Sequence, residues 1–228
     1  MTELNFITIV TYGRTGSTAL QSALNALPGV VVRGENYNAL RGVQAYVQSV
    51  AETADRHHAG RPNHPWFGSA RLDASAALAD QRRHVLDFLL RPKASTTWVG
   101  FKEVRYEEGH FADPDVLLDY LLFLNKVLPG LRYLVNVRDP QSAARSGWWP
   151  DNPDAVGVLT RTHTALVDST AELNRMLGPD RAVLIDYEQW SQDPMVVAAA
   201  CRRLGLPQDD EALRAALTEH LHHGSRAT

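Results

Sequence analysis

The sequence predicts an open parallel α/β sheet in three layers, with helices on both faces and the active edge at the strand C-termini. Three observations predict it. Short runs rich in Ile, Val, Leu and Phe recur along the 228 residues, each reading as a strand buried on both sides. Stretches with apolar residues at helical spacing separate them. A strand, a helix and a second strand fit into about 30 residues at the start, the length of one βαβ unit.

The elements follow in order. Residues 4–12 read as the first strand, broken by Gly13, Arg14, Thr15 and Gly16. Ala19, Leu20, Ala23, Leu24 and Leu27 recur at helical spacing until Pro28-Gly29, and residues 30–33 make a second short strand ended by Gly34. Residues 36–54 read as a helix, and residues 56–75 as a long polar loop around Trp66-Phe67. Leu78, Val85, Leu86 and Leu89 mark one further helix, closed by Pro92, before a third strand at 96–101. Leu117, Tyr120, Leu121, Leu124, Val127 and Leu128 form the clearest amphipathic stripe, ended by Pro129-Gly130. A fourth strand covers 131–137, and Asp139 with Pro140 caps and opens the next helix. After a loop at Trp148-Trp149-Pro150, Leu159 to Leu177 give a long helix, 182–185 a fifth strand, and 195–204 and 211–221 the last helices. No repeat, low-complexity tract or linker interrupts the order, so residues 1–228 are expected to form one domain.

Composition excludes several classes. Hydrophobic residues at 44% and charged residues at 21% argue against wholesale disorder. A net charge of -3 argues against a nucleic-acid-coating surface. Lysine occurs only at Lys93, Lys102 and Lys126, so arginine supplies most of the cations, the residue suited to bidentate phosphate or sulfate recognition. The single Cys201 excludes an intrachain disulfide and a cysteine-based zinc site. The N-terminus lacks the pattern of a signal peptide, and no apolar run reaches the ~18–20 residues of a membrane span, so a soluble cytoplasmic protein is expected.

The segment TYGRTGSTAL leaves the first strand and opens the first helix. Small residues there let backbone N–H groups face an anion, and the helix N-terminus adds partial positive charge. Ser17 and Thr18 add hydroxyls. The segment is P-loop-like, yet Ser17 stands where a Walker lysine belongs, and the nearest cation is Arg14. The pattern reads as an anion site for a shorter phosphate chain than that of ATP; the plain alternative is a tight strand-to-helix turn. Arg138 closes the fourth strand, and Ser146 follows eight residues later, a little over two helical turns, so both can converge on one anion. A capping arginine and a solvated serine are the alternative.

These two segments together resemble the sulfotransferases that use 3′-phosphoadenosine 5′-phosphosulfate (PAPS). The resemblance implies a P-loop-like sulfotransferase fold. It also implies that Gly13, Arg14, Thr15, Gly16, Ser17 and Thr18 bind the 5′-phosphosulfate and that Arg138 and Ser146 bind the 3′-phosphate. VLIDYEQW looks like the family's segment after the fifth strand, which would put Tyr187 near the adenine. RGENYN resembles the segment that carries a glutamate base in tyrosylprotein and several bacterial sulfotransferases, making Glu35 the expected base; the cytosolic steroid and phenol enzymes use a histidine instead. A free Glu titrates near ~4.3, so burial is expected to raise Glu35. Lys102, in WVGFKEVRY, matches a lysine that some members aim at the sulfuryl or bridging oxygen, with Arg14 sharing the charge on the leaving phosphate.

Plainer roles stand beside these: a helix-dipole carboxylate for Glu35, and an ion-pair cluster of Lys102 with Glu103 and Arg105. Glu103, His110 and the loop histidines are the reserve candidates for a base. The expected acceptor is a hydroxyl of a small molecule, natural product or glycan, with PAP as co-product. Trp66, Phe67, Trp148 and Trp149 serve either its site or the core. No metal is expected: the histidines at 57, 58, 64, 220, 222 and 223 come without a Cys or HExxH pattern. The competing readings are a P-loop kinase and a non-catalytic PAP-binding module.

Overall fold

The computed structural model describes residues 4–56, 61–107, 109–111 and 113–224. Five strands, β1 (Asn5–Val10), β2 (Val30–Arg33), β3 (Trp98–Glu103), β4 (Arg132–Val137) and β5 (Ala182–Asp186), form one sheet in the order β2-β3-β1-β4-β5. Every pairing is parallel. Strand pleating splits the core in two. Phe6 and Val10 of β1 face a cluster shared with α2 (Leu40–Arg56), α4 (Pro114–Val127) and α6 (Ala155–Leu177). Ile7 and Ile9 face the opposite cluster, with α1 (Ser17–Ala26), α8 (Met195–Leu204) and α9 (Asp210–Gly224). The three-layer architecture is therefore the one the hydrophobic runs predict. α3 (Ala74–His84) packs beside α2; α5 (Pro140–Ala144) and α7 (Tyr187–Trp190) are single short turns after β4 and β5.

Capping follows simple chemistry. Asp113 accepts from Asp115 N–H with Pro114 at the first helical position, and Asp139 accepts from Ser142 N–H ahead of Pro140, as the sequence predicts. Cys201 is buried against the sheet, which pushes its thiol up to about 12. Among the described residues no helix is long and apolar enough to cross a membrane.

Several boundaries differ from the sequence reading. α2 begins at Leu40, not 36, because Tyr37 and Asn38 take positive φ (60° and 52°) and form a turn. The helix before β3 is α-helical only to His84; Val85–Leu90 is a π-turn, ended by Arg91 in the left-handed region. β3 runs to Glu103, so Lys102 lies inside the strand rather than at its end. α5 stops at Ala144, so Ser146 sits on the turn beyond it, ahead of Gly147 at φ 67°. His57, His58 and the side chains of His110, His220, His222 and His223 lie outside the described residues.

Candidate active site

The carboxyl ends of the strands bring the candidate residues into one row, in the spatial order Glu35, Lys102, the β1–α1 loop, Arg138 and Tyr187. β1 and β3 are paired with Ile9 opposite Lys102 and Val10 opposite Glu103, so the lysine lies one strand spacing, about 4.8 Å, from the strand that feeds the loop. Arg33 pairs with Phe101, and Glu35 follows two residues later.

The β1–α1 loop is held from below. Thr11 Oγ1 lies 2.6 Å from Thr15 Oγ1 and donates to the Asn136 carbonyl at 2.6 Å. Asn136 Nδ2 donates to the Thr15 carbonyl (2.9 Å), and its Oδ1 accepts from Trp190 Nε1 (2.9 Å). The buried Thr15 hydroxyl is thus engaged within the protein. Ser17 is buried and Thr18 exposed at the start of α1. Gly16 caps that helix at φ 73° with no side-chain bond; its carbonyl accepts the Ala19 N–H (3.0 Å), so the N–H groups of Ser17 and Thr18 are the ones that the helix start can offer a ligand. Arg14 also has a positive φ, 72°.

Gly16 is required twice over. A Cβ there would stand 2.6 Å from the Tyr187 ring, at a backbone angle that costs an L-residue about 1–2 kcal/mol. Gly16→Ala is therefore expected to lower the melting temperature by about 2–8 °C, at about 2–4 °C per kcal/mol for a chain of this size. A melting curve superimposed on the wild type would show that the loop repacks freely.

The second segment closes on the first through Arg14. Arg14 Nε donates to Ser146 Oγ (2.9 Å), and Arg138 Nη1 donates to the Arg14 carbonyl (2.7 Å). Arg138 and Ser146 thus meet around one residue of the loop, although Ser146 is not on a helix. The Arg138 guanidinium lies over the Tyr187 ring, 4.4 Å from its centroid, and Tyr187 meets Trp190 edge-on at 5.0 Å. Arg138 Nε is buried without a hydrogen bond, with Glu188 Oε1 at 3.6 Å. Such an orphaned cationic donor fits an anionic ligand. Burial, and a hydrogen bond with Asp186, push the Glu188 carboxyl above its usual range. Tyr12 locks the end of β4: its hydroxyl accepts from Arg138 N–H (2.8 Å) and donates to the Arg138 carbonyl.

At the other end of the row, Lys102 Nζ donates to Glu35 Oε1 at 2.7 Å. The lysine side chain is 6% exposed and the glutamate 36%. Glu35 is therefore open and ion-paired, not buried as expected, and the lysine is the desolvated partner. Glu103 does not join this pair. It is 0% exposed, and its two oxygens accept four backbone N–H groups: Asn36 (3.1 Å), Asn38 (2.9 Å), Val104 (2.9 Å) and Arg105 (3.2 Å). That coordination removes Glu103 both from the alternative ion-pair cluster with Lys102 and from the reserve of bases. Successive side chains alternate across a strand, a sequence-level signal that Lys102 and Glu103 face opposite ways. Sequence reasoning also missed Tyr12, Asn136 and Trp190; a lone Asn inside a buried strand is the one visible hint.

Of the four aromatics considered for an acceptor, Trp66, Phe67 and Trp148 are exposed, whereas Trp149 is in the core. Trp148 closes over Gly13, where any Cβ would overlap its ring. Among the described residues no cluster of His, Cys, Asp or Glu could hold a metal ion.

Comparison with known proteins bears on the fold and the family. Three solved structures share the fold. The sulfotransferase domain of the olefin synthase from Synechococcus PCC 7002 is 21% identical, with 93% of this chain and 77% of that chain covered and a TM-score of 0.56. The sulfotransferase domain from the curacin biosynthetic pathway is 16% identical (93% and 77% covered, TM-score 0.51). Sulfotransferase STF9 from Mycobacterium avium is 15% identical (98% and 69% covered, TM-score 0.52). No curated protein matches the sequence. The model of the sulfotransferase family matches residues 7–210, nearly the whole sheet and its helices, and the chain belongs to that family.

Proposed function

We propose that this sulfotransferase takes its sulfuryl group from PAPS and transfers it to a hydroxyl, releasing PAP and a sulfate ester. The observation that carries the reading is the junction of the two anion-facing segments, Arg138 on the Arg14 carbonyl and Arg14 on Ser146, with the Glu35–Lys102 pair further along the same edge. In this reading the loop N–H groups at Gly13 to Thr18 hold the 5′-phosphosulfate, Arg138 and Ser146 hold the 3′-phosphate, and Tyr187 borders the adenine. Glu35 takes the proton of the acceptor hydroxyl as its oxygen bonds to sulfur. Lys102 and Arg14 stabilise the charge that gathers on the sulfuryl and bridging oxygens as the old S–O bond breaks and its electron pair passes to the phosphate. The bond from Lys102 to Glu35 holds both side chains in place before substrates arrive.

Thermal shift distinguishes this from a kinase, because Ser17 occupies the Walker lysine position. PAP at 100 times its Kd is expected to stabilise the protein by about 2.7 kcal/mol. ATP with Mg²⁺ at the same concentration is expected to give far less. The reverse order would overturn the reading. Side chains suffice to clamp one phosphate and one sulfate, so sulfation measured in excess EDTA is expected to persist. Complete loss restored by Mg²⁺ or Zn²⁺ would assign the charge stabilisation to a metal instead.

A further inference from the structure

Three carboxylates gather where β4 and β5 end, beside the arginine assigned to the ligand: Asp139, Asp186 and Glu188. Two of them are committed to the backbone. Asp139 Oδ2 accepts from Ser142 N–H (2.8 Å) at the start of α5, and Asp186 Oδ1 accepts from Glu188 N–H (2.8 Å) at the start of α7. Both are helix caps. Glu188 is held differently. Its Oε2 takes a long bond from Asp139 N–H (3.3 Å), and its Oε1 stands 3.6 Å from Arg138 Nε, inside ion-pair range yet not hydrogen-bonded. It also meets the Asp186 carboxyl, a like group that gives it no countercharge.

Arg138 is engaged on two sides. Its Nη1 holds the Arg14 carbonyl (2.7 Å), and the Tyr187 ring lies against its face, 4.4 Å from the centroid. Nε is buried without a hydrogen bond, and Glu188 already stands beside it. An anion oxygen at the usual ~2.8 Å from Nε comes within about 6.4 Å of Glu188 Oε1, whatever its direction. A ligand phosphate and the Glu188 carboxylate are therefore neighbours around one guanidinium.

We propose that Glu188 is a built-in counter-anion of the nucleotide site: it neutralises Arg138 in the empty protein, opposes the phosphate that arrives there, and so holds PAPS and PAP less tightly than the cations of the site alone would. The inference rests on the assignment of Arg138 to the 3′-phosphate and concerns how firmly that site grips. The Arg138 side chain is 23% exposed, and a largely desolvated cation is costly without a countercharge when no ligand is bound. PAPS and PAP both carry the 3′-phosphate, so one repulsion acts on the entry of the donor and on the departure of the product. Glu188 is 42% exposed, so water screens that repulsion, and its effect is expected to be about three- to tenfold in Kd.

The test is the Kd for PAP by isothermal titration calorimetry, at about 0.01 M and about 1 M ionic strength, where the Debye length falls from about 30 Å to about 3 Å. Glu188→Gln keeps the side-chain length and an oxygen for Asp139 N–H. It is expected to bind PAP about three- to tenfold more tightly than the wild type at low salt, and to lose most of that gain at high salt. Glu188→Ser removes the carboxylate outright and gives the same reading where the amide variant does not fold. Glu172→Gln is the control for net charge. Glu172 lies on α6 two residues before Asn174, whose amide donates to the Ala182 carbonyl (2.8 Å) at the start of β5, the opposite end of the sheet. Its PAP affinity is expected to equal that of the wild type. Equal or weaker binding in Glu188→Gln, with Arg138→Ala still weakening it, overturns the counter-anion and leaves the PAP site intact. So does a gain that salt leaves undiminished, or one that Glu172→Gln shares. PAP affinity indifferent to Arg138→Ala overturns the assignment of Arg138 and this inference with it.

Discussion

Glu35→Gln is expected to lower kcat by about 10²–10⁴-fold, the usual worth of a positioned base, while the Kd for PAP stays at the wild-type value. The amide keeps the shape and leaves Oε1 able to accept from Lys102, so the geometry at the strand ends survives. What disappears is the proton acceptor and the negative charge beside a lysine that is only 6% exposed. Loss of that countercharge is expected to cost about 1 kcal/mol, a fall of about 2–4 °C in Tm. Measuring Tm, PAP affinity and kcat on one preparation separates the roles. A purely structural pair predicts a lower Tm with near-normal turnover per folded molecule, and that result would remove Glu35 from the chemistry. Glu103 could not take its place, because both its oxygens already accept backbone N–H groups.

Arg138→Ala is expected to weaken PAP binding by about 1.5–3 kcal/mol, or roughly 10- to 150-fold, the scale of a charged hydrogen-bonding group. Two losses combine. The orphaned Nε donor is gone, and so is the bond from Nη1 that holds the Arg14 carbonyl. Arg138→Lys separates charge from geometry, since it keeps a cation yet lacks the planar fork that serves loop and ligand together. Its affinity is expected to fall between those of the alanine variant and the wild type. Unchanged PAP binding in Arg138→Ala would sink the assignment of this segment to the nucleotide.

The strands were legible because each centres on a short run rich in apolar residues, and α8 matched to the residue because Pro194 precedes it and Gly205, at φ 77°, follows it. Boundaries failed where distant contacts decide. Apolar spacing carries the helix back to 36, yet a carboxylate 67 residues away holds Asn36 N–H in a turn. Likewise α5 is short because Gly147 turns the chain, and the π-turn at Val85–Leu90 keeps the same hydrophobic residues as an α-helix would. In the site, the loop was readable from its glycines and hydroxyls, which act through local backbone. The Lys102–Glu35 pair joins residues 67 apart, and Asn136 reaches Thr15 across 121. Spacing along one chain holds no record of such pairings.

The Glu103 bracket also limits how this site can change over evolutionary time. Its carboxylate grips the N–H of residue 36 and that of residue 38, one residue and three residues past Glu35. Inserting or deleting a single residue between Glu35 and Asn38 would move one or both of those donors off their oxygen and leave the buried carboxylate with only the Val104 and Arg105 N–H groups. The loop can therefore exchange side chains, as at exposed Tyr37, but it cannot change length. Change at this edge is left to substitution of side chains, while the distance from β2 to the first turn of α2 stays constant.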